Sequence, residues 1–460
     1  MPSRSFAGLA STYRSAEDGR RRQGSRIVAP MTETAAPTAT ATSVSLLRDR
    51  MFARLWFTQA ATQVGGNMAL YALTVLVFTS TRSNTAVSAL VMSFVVPTIF
   101  LSAFAGVVVD RLDLRLALIG PNLARAGMTF GLALAGANVA VLLLLNLGIS
   151  FASIFLTPAE GSMIPRVVRR EQLETAMGLF NLTLQASFAV GFTFLGPLLV
   201  TLVGPSFVLG VVTVLYVAAT IACFGLPKAP PRPIAPGVAH PSFREPVRQL
   251  REGLAAIQDE REISRPILHL AAATSIAGVL GVLGPAFAVS IGLPATQLIV
   301  VVLPLGLGVV AGVLGLRRFV RLSSRRRAAE GGLAVLGFST LALALVGALP
   351  RALDLSAITL VPIVAVIAVI AGAAYAATSV SAQTALFESI PEAVRGRIFG
   401  VLASIVSAAS LIPVLFAGPL ADRISAPTVI GMVGLGIVAV GLLSARRFGP
   451  VGGPSSSART

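Results

Sequence analysis

From residue 47 to residue 446 the chain is a succession of long apolar runs cut by short charged clusters. Twelve runs can be marked, at 52–79, 84–109, 115–136, 138–158, 173–203, 206–226, 266–290, 294–316, 328–349, 355–388, 397–421 and 426–445. About 20 apolar residues in an α-helix, rising about 1.5 Å each, cross a hydrocarbon layer about 30 Å thick. Every run reaches that length, so each predicts a membrane-spanning helix. A membrane barrel would show alternation in segments of about ten residues, and the unbroken runs exclude it. The fold class expected is an all-α polytopic membrane protein with twelve transmembrane helices, spans 1 to 12.

The longest interruption, Leu226 to Arg265, divides the runs into six and six. It begins as a Pro-rich spacer, Pro227 to Pro236. Farther on, Val247, Leu250, Leu254 and Ile257 stand at helical spacing among Arg and Glu. That pattern fits an amphipathic helix on the membrane surface and fits a solvated linker helix equally well. The domains expected are a disordered tail (1–46), a six-helix bundle (47–226), the linker (227–264), a second bundle (265–446) and a tail (447–460). The first tail is rich in Ser, Thr, Ala, Pro and Arg and holds no signal-peptide core. Met31 opens a fresh Thr/Ala/Pro-rich stretch, so a translation start there fits as well as one at Met1.

Composition agrees with the runs. The chain is 55% hydrophobic and 12% charged, with a mean hydropathy of +0.84, whereas about 25% charged is ordinary for soluble domains. The net charge of +17 would suit nucleic acid, but its distribution does not. With both ends on one side, the loops on that side hold twenty basic residues, and the opposite loops hold only Arg82, Arg351 and Arg423. The positive-inside rule then expects both termini in the cytoplasm, a multi-pass protein of the inner (cytoplasmic) membrane, and no nucleic-acid partner. Cys223 is the only cysteine and His240 and His269 the only histidines. No intrachain disulfide, metal site or cofactor is expected.

The halves repeat. Ile164-Pro165-x-x-Val168-Arg169 recurs as Ile390-Pro391-x-x-Val394-Arg395, and Gly196-Pro197-Leu198 recurs as Gly418-Pro419-Leu420, in the same order and at nearly one offset. Duplicated parallel halves of six helices are one of the known transporter architectures.

Between spans 2 and 3 the apolar run stops at Gly106-x-x-x-Asp110-Arg111-Leu-Asp113-Leu-Arg115 and restarts at Leu116. On insertion scales each such charge costs about 2.5–3.5 kcal/mol in hydrocarbon, so these residues form a turn outside it. The stretch resembles the loop after the second helix in the major facilitator superfamily, Gly-x-x-x-Asp-Arg-x-Gly-Arg-Arg, with Asp113 replacing the second glycine and Leu114 one basic residue. In the second half Gly312 to Arg318 keeps the glycines and arginines but no Asp. Pro158-Ala-Glu160 to Leu173, and Ile390-Pro391 to Gly400 with Arg395, Gly396 and Arg397, are similar to the branch holding the enterobactin exporter and macrolide efflux proteins. Three positions depart from that branch: Asn122-Leu-Ala-Arg125 where Asp opens the motif, Asn67 after Gly66 where an acid is common, and no glycine pair after Gly196-Pro197.

The resemblance implies two pseudo-symmetric six-helix bundles, the major facilitator fold. It also implies alternating access, and a gate in which Asp110 meets the start of span 11 near Gly396 and Arg397 while Arg111 and Arg115 tie the turn to its own half. Gly196-Pro197 and Gly418-Pro419 become helix hinges.

Polar stripes mark the candidate cargo path. Span 1 carries Gln59, Gln63, Asn67 and Tyr71 on one face, span 4 carries Asn146, Ser150, Ser153 and Thr157, and span 10 carries Tyr375, Ser379 and Gln383. Such stripes face protein or a water-filled cavity. The resemblance assigns them to the cavity, and interhelical bonding is the alternative. Every one of the 19 acidic residues lies in a loop, a tail or near a span end. Arg125, Glu160, His269 and Glu388 are therefore the remaining candidates for coupling, with protons as coupling ion implied by the resemblance alone. Arg125 lies deep enough to need a partner, Asn122 or Glu160.

Enzymatic signatures are lacking: no HExxH, no Walker lysine (Lys228 is the only lysine) and no intramembrane Ser-His pair. The function expected is secondary active export of an amphipathic organic molecule (a drug, siderophore or secondary metabolite) by a monomer in the lipid bilayer. An ion-coupled uptake carrier, or a sensor on the same fold, also fits.

Overall fold

The computed structural model describes residues 46–231, 261–322, 325–353, 356–389 and 395–447. The tails, the linker's amphipathic stretch and Pro391 lie outside those residues, and of Arg395, Gly396 and Arg397 only the backbone is described.

Helices follow one another with minimal turns. In chain order they are α1 Arg50–Thr81, α2 Asn84–Asp110, α3 Leu114–Leu134, α4 Val139–Val167, α5 (Leu173–Phe188, continued through Ala189–Leu195 and Gly196–Val203) and α6 Pro205–Phe224. The second set is α7 Arg261–Ser290, α8 Ile299–Leu322, α9 Arg325–Leu353, α10 Ala357–Ser389, α11 Arg395–Arg423 and α12 Ala426–Arg447. Among the described residues, ten helices are long and apolar enough to cross a bilayer; α3 and α11 complete the bundle. In hydrocarbon a helix is the form that satisfies its own backbone, which is why apolar runs fold this way.

Polar residues at the run ends supply the caps. Asp49 accepts from the amides of Met51 and Phe52 at the start of α1 (2.8 and 3.2 Å), and Asn138 accepts from Val141 at α4. Asp113, the residue that departs from the loop pattern, is the N-cap of α3 and accepts from the Arg115 amide at 2.9 Å. A charge is thus kept where a helix start can use it. Gly204, at φ 87°, alone joins α5 to α6.

Two expectations are corrected here. Span 4 was expected to end at residue 158, but α4 runs on to Val167 and carries Pro158 and Pro165 inside it. No charge stops the helix before Glu160, and its surroundings bury the overrun. Gly418-Pro419 is not a break: α11 is continuous through it. At Gly196-Pro197, in contrast, α5 changes register. Residues 189–195 wind as a π-helix, and the Gly196 amide bonds to the Gly191 carbonyl, five residues back. Pro197 has no N–H for a regular bond, so a wider turn is accommodated there.

Among the described residues, the two halves share a core at one end. At the end away from the termini, one apolar cluster joins Tyr71, Leu90 and Val208 to Phe287, Ile291 and Val414. At the termini side the described clusters are separate. Phe52, Leu114, Met163 and Phe180 form one within the first half, and Ile276, Leu333, Leu336 and Ala374 another within the second. In the second half α8 and α10 touch backbone to backbone. A side chain at Gly372 would strike the Leu305 carbonyl, one at Gly308 the Val369 carbonyl, and one at Gly312 the Ala373 carbonyl. Close approach of this kind is how helices associate in lipid, where packing replaces the hydrophobic drive.

Candidate functional site

Helix α1 runs along the middle of the first half, and its stripe divides into buried and half-buried members. Gln59, near the termini side, donates to the Phe180 carbonyl of α5 at 3.2 Å and is 6% exposed. Gln63 and Asn67 are half-buried, and Asn67 donates back to the Gln63 carbonyl at 2.9 Å. Tyr71 is fully buried, edge-on to Phe192, with no partner for its hydroxyl. The π-turn of α5 sits against this face: a Cβ at Gly191 would meet the Val64 carbonyl at 2.5 Å and Asn67 Cβ at 2.8 Å. Gln63 and Asn67 are thus the half-buried members of the stripe, and Gln59 and Tyr71 the buried ones.

The stripe on α4 has another use. Asn146 donates to the Leu90 carbonyl (3.2 Å) and to Ser93 Oγ (2.9 Å), and Ser150 Oγ donates to the Phe94 carbonyl (2.8 Å). Both are buried. Against the expectation of a cavity lining, they bind α4 to α2, because the polarity that hydrocarbon forbids is as well satisfied by a neighbouring backbone as by water. Ser153 bonds within its own helix. On α10, Ser379 is buried, while Tyr375 and Gln383 are half-buried.

The charged candidates separate in the same way. Arg125 of α3 is 6% exposed, deep in the first half. Its hydrogen bonds go not to Asn122 or Glu160 but to Tyr216 of α6 and the Thr62 carbonyl: Nη2 donates to the phenol oxygen at 2.6 Å and to the Thr62 carbonyl at 3.4 Å, while Glu160 lies within electrostatic reach of the guanidinium. The guanidinium carbon also lies 4.1 Å from the Tyr216 ring centroid, a cation–π contact. Nε of Arg125, Oδ1 of Asn122 and Oε1 of Glu160 have no hydrogen-bond partner. Glu160 is itself 6% exposed, so the expectation that every acid stays near a span end fails where α4 overruns. Sequence reasoning missed Tyr216, although its four-residue spacing to Thr220 was visible; the Thr220 hydroxyl bonds to the Tyr216 carbonyl.

His269 is 1% exposed, and its Nε2 hydrogen-bonds Ser444 of α12 at 3.0 Å. It is an interhelical tie. Glu388 is exposed at the end of α10.

The turn after α2 is anchored in its own half. The Leu114 amide donates to the Ala229 carbonyl (3.1 Å), and Arg115 lies over the Phe224 ring at 5.9 Å. Asp110 and Arg111 are exposed, and Asp110 borders a shallow hollow with Ser162, Arg166 and Pro230. Among the described residues, nothing lies within 4 Å of where a Gly106 side chain would begin. No contact between Asp110 and the start of α11 is found among them either.

Two six-helix halves thus share an apolar core at the end away from the termini. The sequence model of the Major Facilitator Superfamily matches residues 55–413, and the chain belongs to that family. Over 141 residues it is 32% identical to the uncharacterized MFS-type transporter YkuC of Bacillus subtilis (strain 168). That match spans 30% of this chain and 32% of the relative's length. Among solved structures, the nucleoside transporter NupG is similar with a TM-score of 0.64 at 14% identity, over 87% of this chain and 99% of that one. The POT family transporter PepTSo gives 0.63 at 14% identity, over 87% and 98%. A bacterial homologue of the human lysosomal transporter Spinster gives 0.58 at 14%, over 90% and 96%. At such identities the likeness is one of fold: this is the major facilitator fold, carried by an all-helical multi-pass membrane protein.

Proposed function

We propose that the protein is an alternating-access exporter of an uncharged or weakly cationic amphipathic organic molecule. It would work across the cytoplasmic membrane with both termini inside, as in the enterobactin and macrolide efflux branch. The observation that carries the reading is the α1 face, where Gln63 and Asn67 keep exposed polar atoms amid apolar neighbours beside the π-turn of α5. A phosphorylated or strongly anionic cargo would want free cations there. The deep cation, Arg125, is already held by Tyr216 and Thr62. NupG is by name a nucleoside transporter and PepTSo a POT family transporter, which fixes neither cargo nor direction for this chain. Protons are the coupling ion in this reading, with Glu160 the carrier, since its buried carboxyl keeps one oxygen unpartnered.

The test is expression in an efflux-deficient host, scored for resistance across a compound panel with and without a proton uncoupler. Resistance that the uncoupler abolishes, and that Gln63→Leu narrows at unchanged protein level, supports the reading. Sensitivity equal to the empty vector across the panel would overturn export, and resistance indifferent to the uncoupler would overturn proton coupling.

A further inference from the structure

The loop pattern Gly106-x-x-x-Asp110-Arg111 has a second copy, Gly418-x-x-x-Asp422-Arg423, at the opposite end of α11. Both copies end a helix, and α2 and α11 pack against each other across the two halves. Since they run in opposite directions, each helix places its motif beside the other's N-terminus. The second copy is engaged in this structure. Asp422 accepts five hydrogen bonds from the first turn of α2: from Ser83 Oγ (2.7 Å), from the Asn84 amide and side chain (2.7 and 2.9 Å), and from the Thr85 amide and hydroxyl (2.9 and 2.7 Å). One turn back, Gly418 lies so close to α2 that a Cβ would strike the Asn84 carbonyl and Ser88 Oγ. Its amide accepts its place there by donating to Ser88 Oγ at 3.2 Å, and Ser88 in turn donates to the Val414 carbonyl.

We propose that Gly418 and Asp422 form a clasp that holds the far side of the transporter closed by capping the N-terminus of α2 across the two halves. The glycine lets the helices touch, and the carboxylate satisfies the first-turn amides that a helix leaves open and meets the positive end of its dipole. Asp422 lies past the end of its apolar run. Burial alone would push its carboxyl up, but the hydroxyls and amides of Thr85, Ser83 and Asn84 outweigh burial and hold it down at about 2. Among the described residues the Gly106 copy has no matching contact, and nothing lies within 4 Å of where a Cβ on Gly106 would begin. Among the described residues, the engaged motif lies where the halves share a core, and the Gly106 copy lies where each half has its own cluster. The inference rests on the alternating-access reading, because a clasp matters only to a gate that opens.

Spin labels on Ser80→Cys and Thr428→Cys, both exposed at the far side, in a Cys223→Ser background of the full chain in lipid nanodiscs, read the gate directly. Asp422→Ala should shift the closed-to-open ratio about tenfold towards open, equal to about 1.4 kcal/mol, and Asp422→Asn should fall between it and wild type. Gly418→Ala, which keeps the charge but forces the helices apart, should shift it the same way, and it serves if Asp422→Ala fails to fold. Unchanged distributions in these variants, while wild type still shows two distances, would overturn the clasp and leave alternating access standing. One distance in wild type and variants alike, across the compound panel, would overturn both.

Discussion

Replacing Tyr216 by Phe removes one oxygen atom from a deeply buried charged contact. The ring stays, and with it the cation–π contact at 4.1 Å. What goes is the acceptor 2.6 Å from Arg125 Nη2. The nearest remaining acceptor on that nitrogen is the Thr62 carbonyl at 3.4 Å, close to the limit of a useful bond. Neutral interhelical bonds in membranes average about 0.6 kcal/mol, whereas a bond from a charged group is worth about 1.5–3 kcal/mol. Because Arg125 is 6% exposed, water cannot take the phenol's place, so a loss of about 2 kcal/mol is expected, near the middle of the charged range.

The chain carries its own reporter for this. Cys223, on the same helix as Tyr216, is the only cysteine and fully buried, so a thiol reagent reads opening of the first half. When opening is fast relative to labelling, the rate follows the opening equilibrium; about 2 kcal/mol is then about thirtyfold faster labelling. Tyr216→Phe labelling within about twofold of wild type would refute the reasoning. Glu160→Gln supplies the cross-check. An ionised Glu160 offsets the guanidinium, so its loss should also speed labelling; a protonated one is replaced nearly in kind and should not.

Other outcomes follow from the same contacts. Ser150→Ala removes a tie between α4 and α2 and should cost roughly the average 0.6 kcal/mol of an interhelical bond; thermal stability should fall slightly and the resistance spectrum stay put, and an altered spectrum would return Ser150 to the cavity. Gly191→Ala puts a Cβ 2.5 Å from the Val64 carbonyl, and overpacking of this kind costs about 1–3 kcal/mol; stability and flux should both drop. Single cysteines at Ser80→Cys and Arg170→Cys, in a Cys223→Ser background, should react with an impermeant reagent from opposite faces of intact cells; labelling of both from one face would refute the topology. Asp110→Asn should leave the far-side distance unchanged and weaken closure of the termini side, read by labels at the ends of α2 and α10; wild-type flux and closure would leave the turn without a gating role.

Most of the fold was legible because hydrocarbon makes severe demands on a sequence. A charge such as Arg82 or Asp113 at a run's end fixes a boundary, and the caps built by Asp49, Asp113 and Asn138 lie where polar residues precede apolar ones. The misreadings arose where local sequence underdetermines the neighbour. Pro158 reads as a helix end, yet α4 continues through it and buries Glu160. The Asn146 and Ser150 stripe had to face something polar, and periodicity cannot tell a backbone carbonyl of α2 from water. The π-turn at 189–195 comes from Pro197 and from α1 lying against Gly191, the second of which is a tertiary fact. At Gly418-Pro419 the repeat with Gly196-Pro197 drew attention to a hinge, while the neighbouring Asp422, four residues on, carried the contact.

The glycine seam between α8 and α10 constrains how this protein can diversify. At Gly308, Gly312 and Gly372 the space a methyl group would need is filled by the partner's main chain, which cannot rotate aside as a side chain can. Those sites would stand out in a saturation library as near-invariant, and the pair would drift through generations as a single rod. Variation in what is carried would have to be written elsewhere, on faces such as that of Gln63 and Asn67, where a changed side chain displaces no backbone.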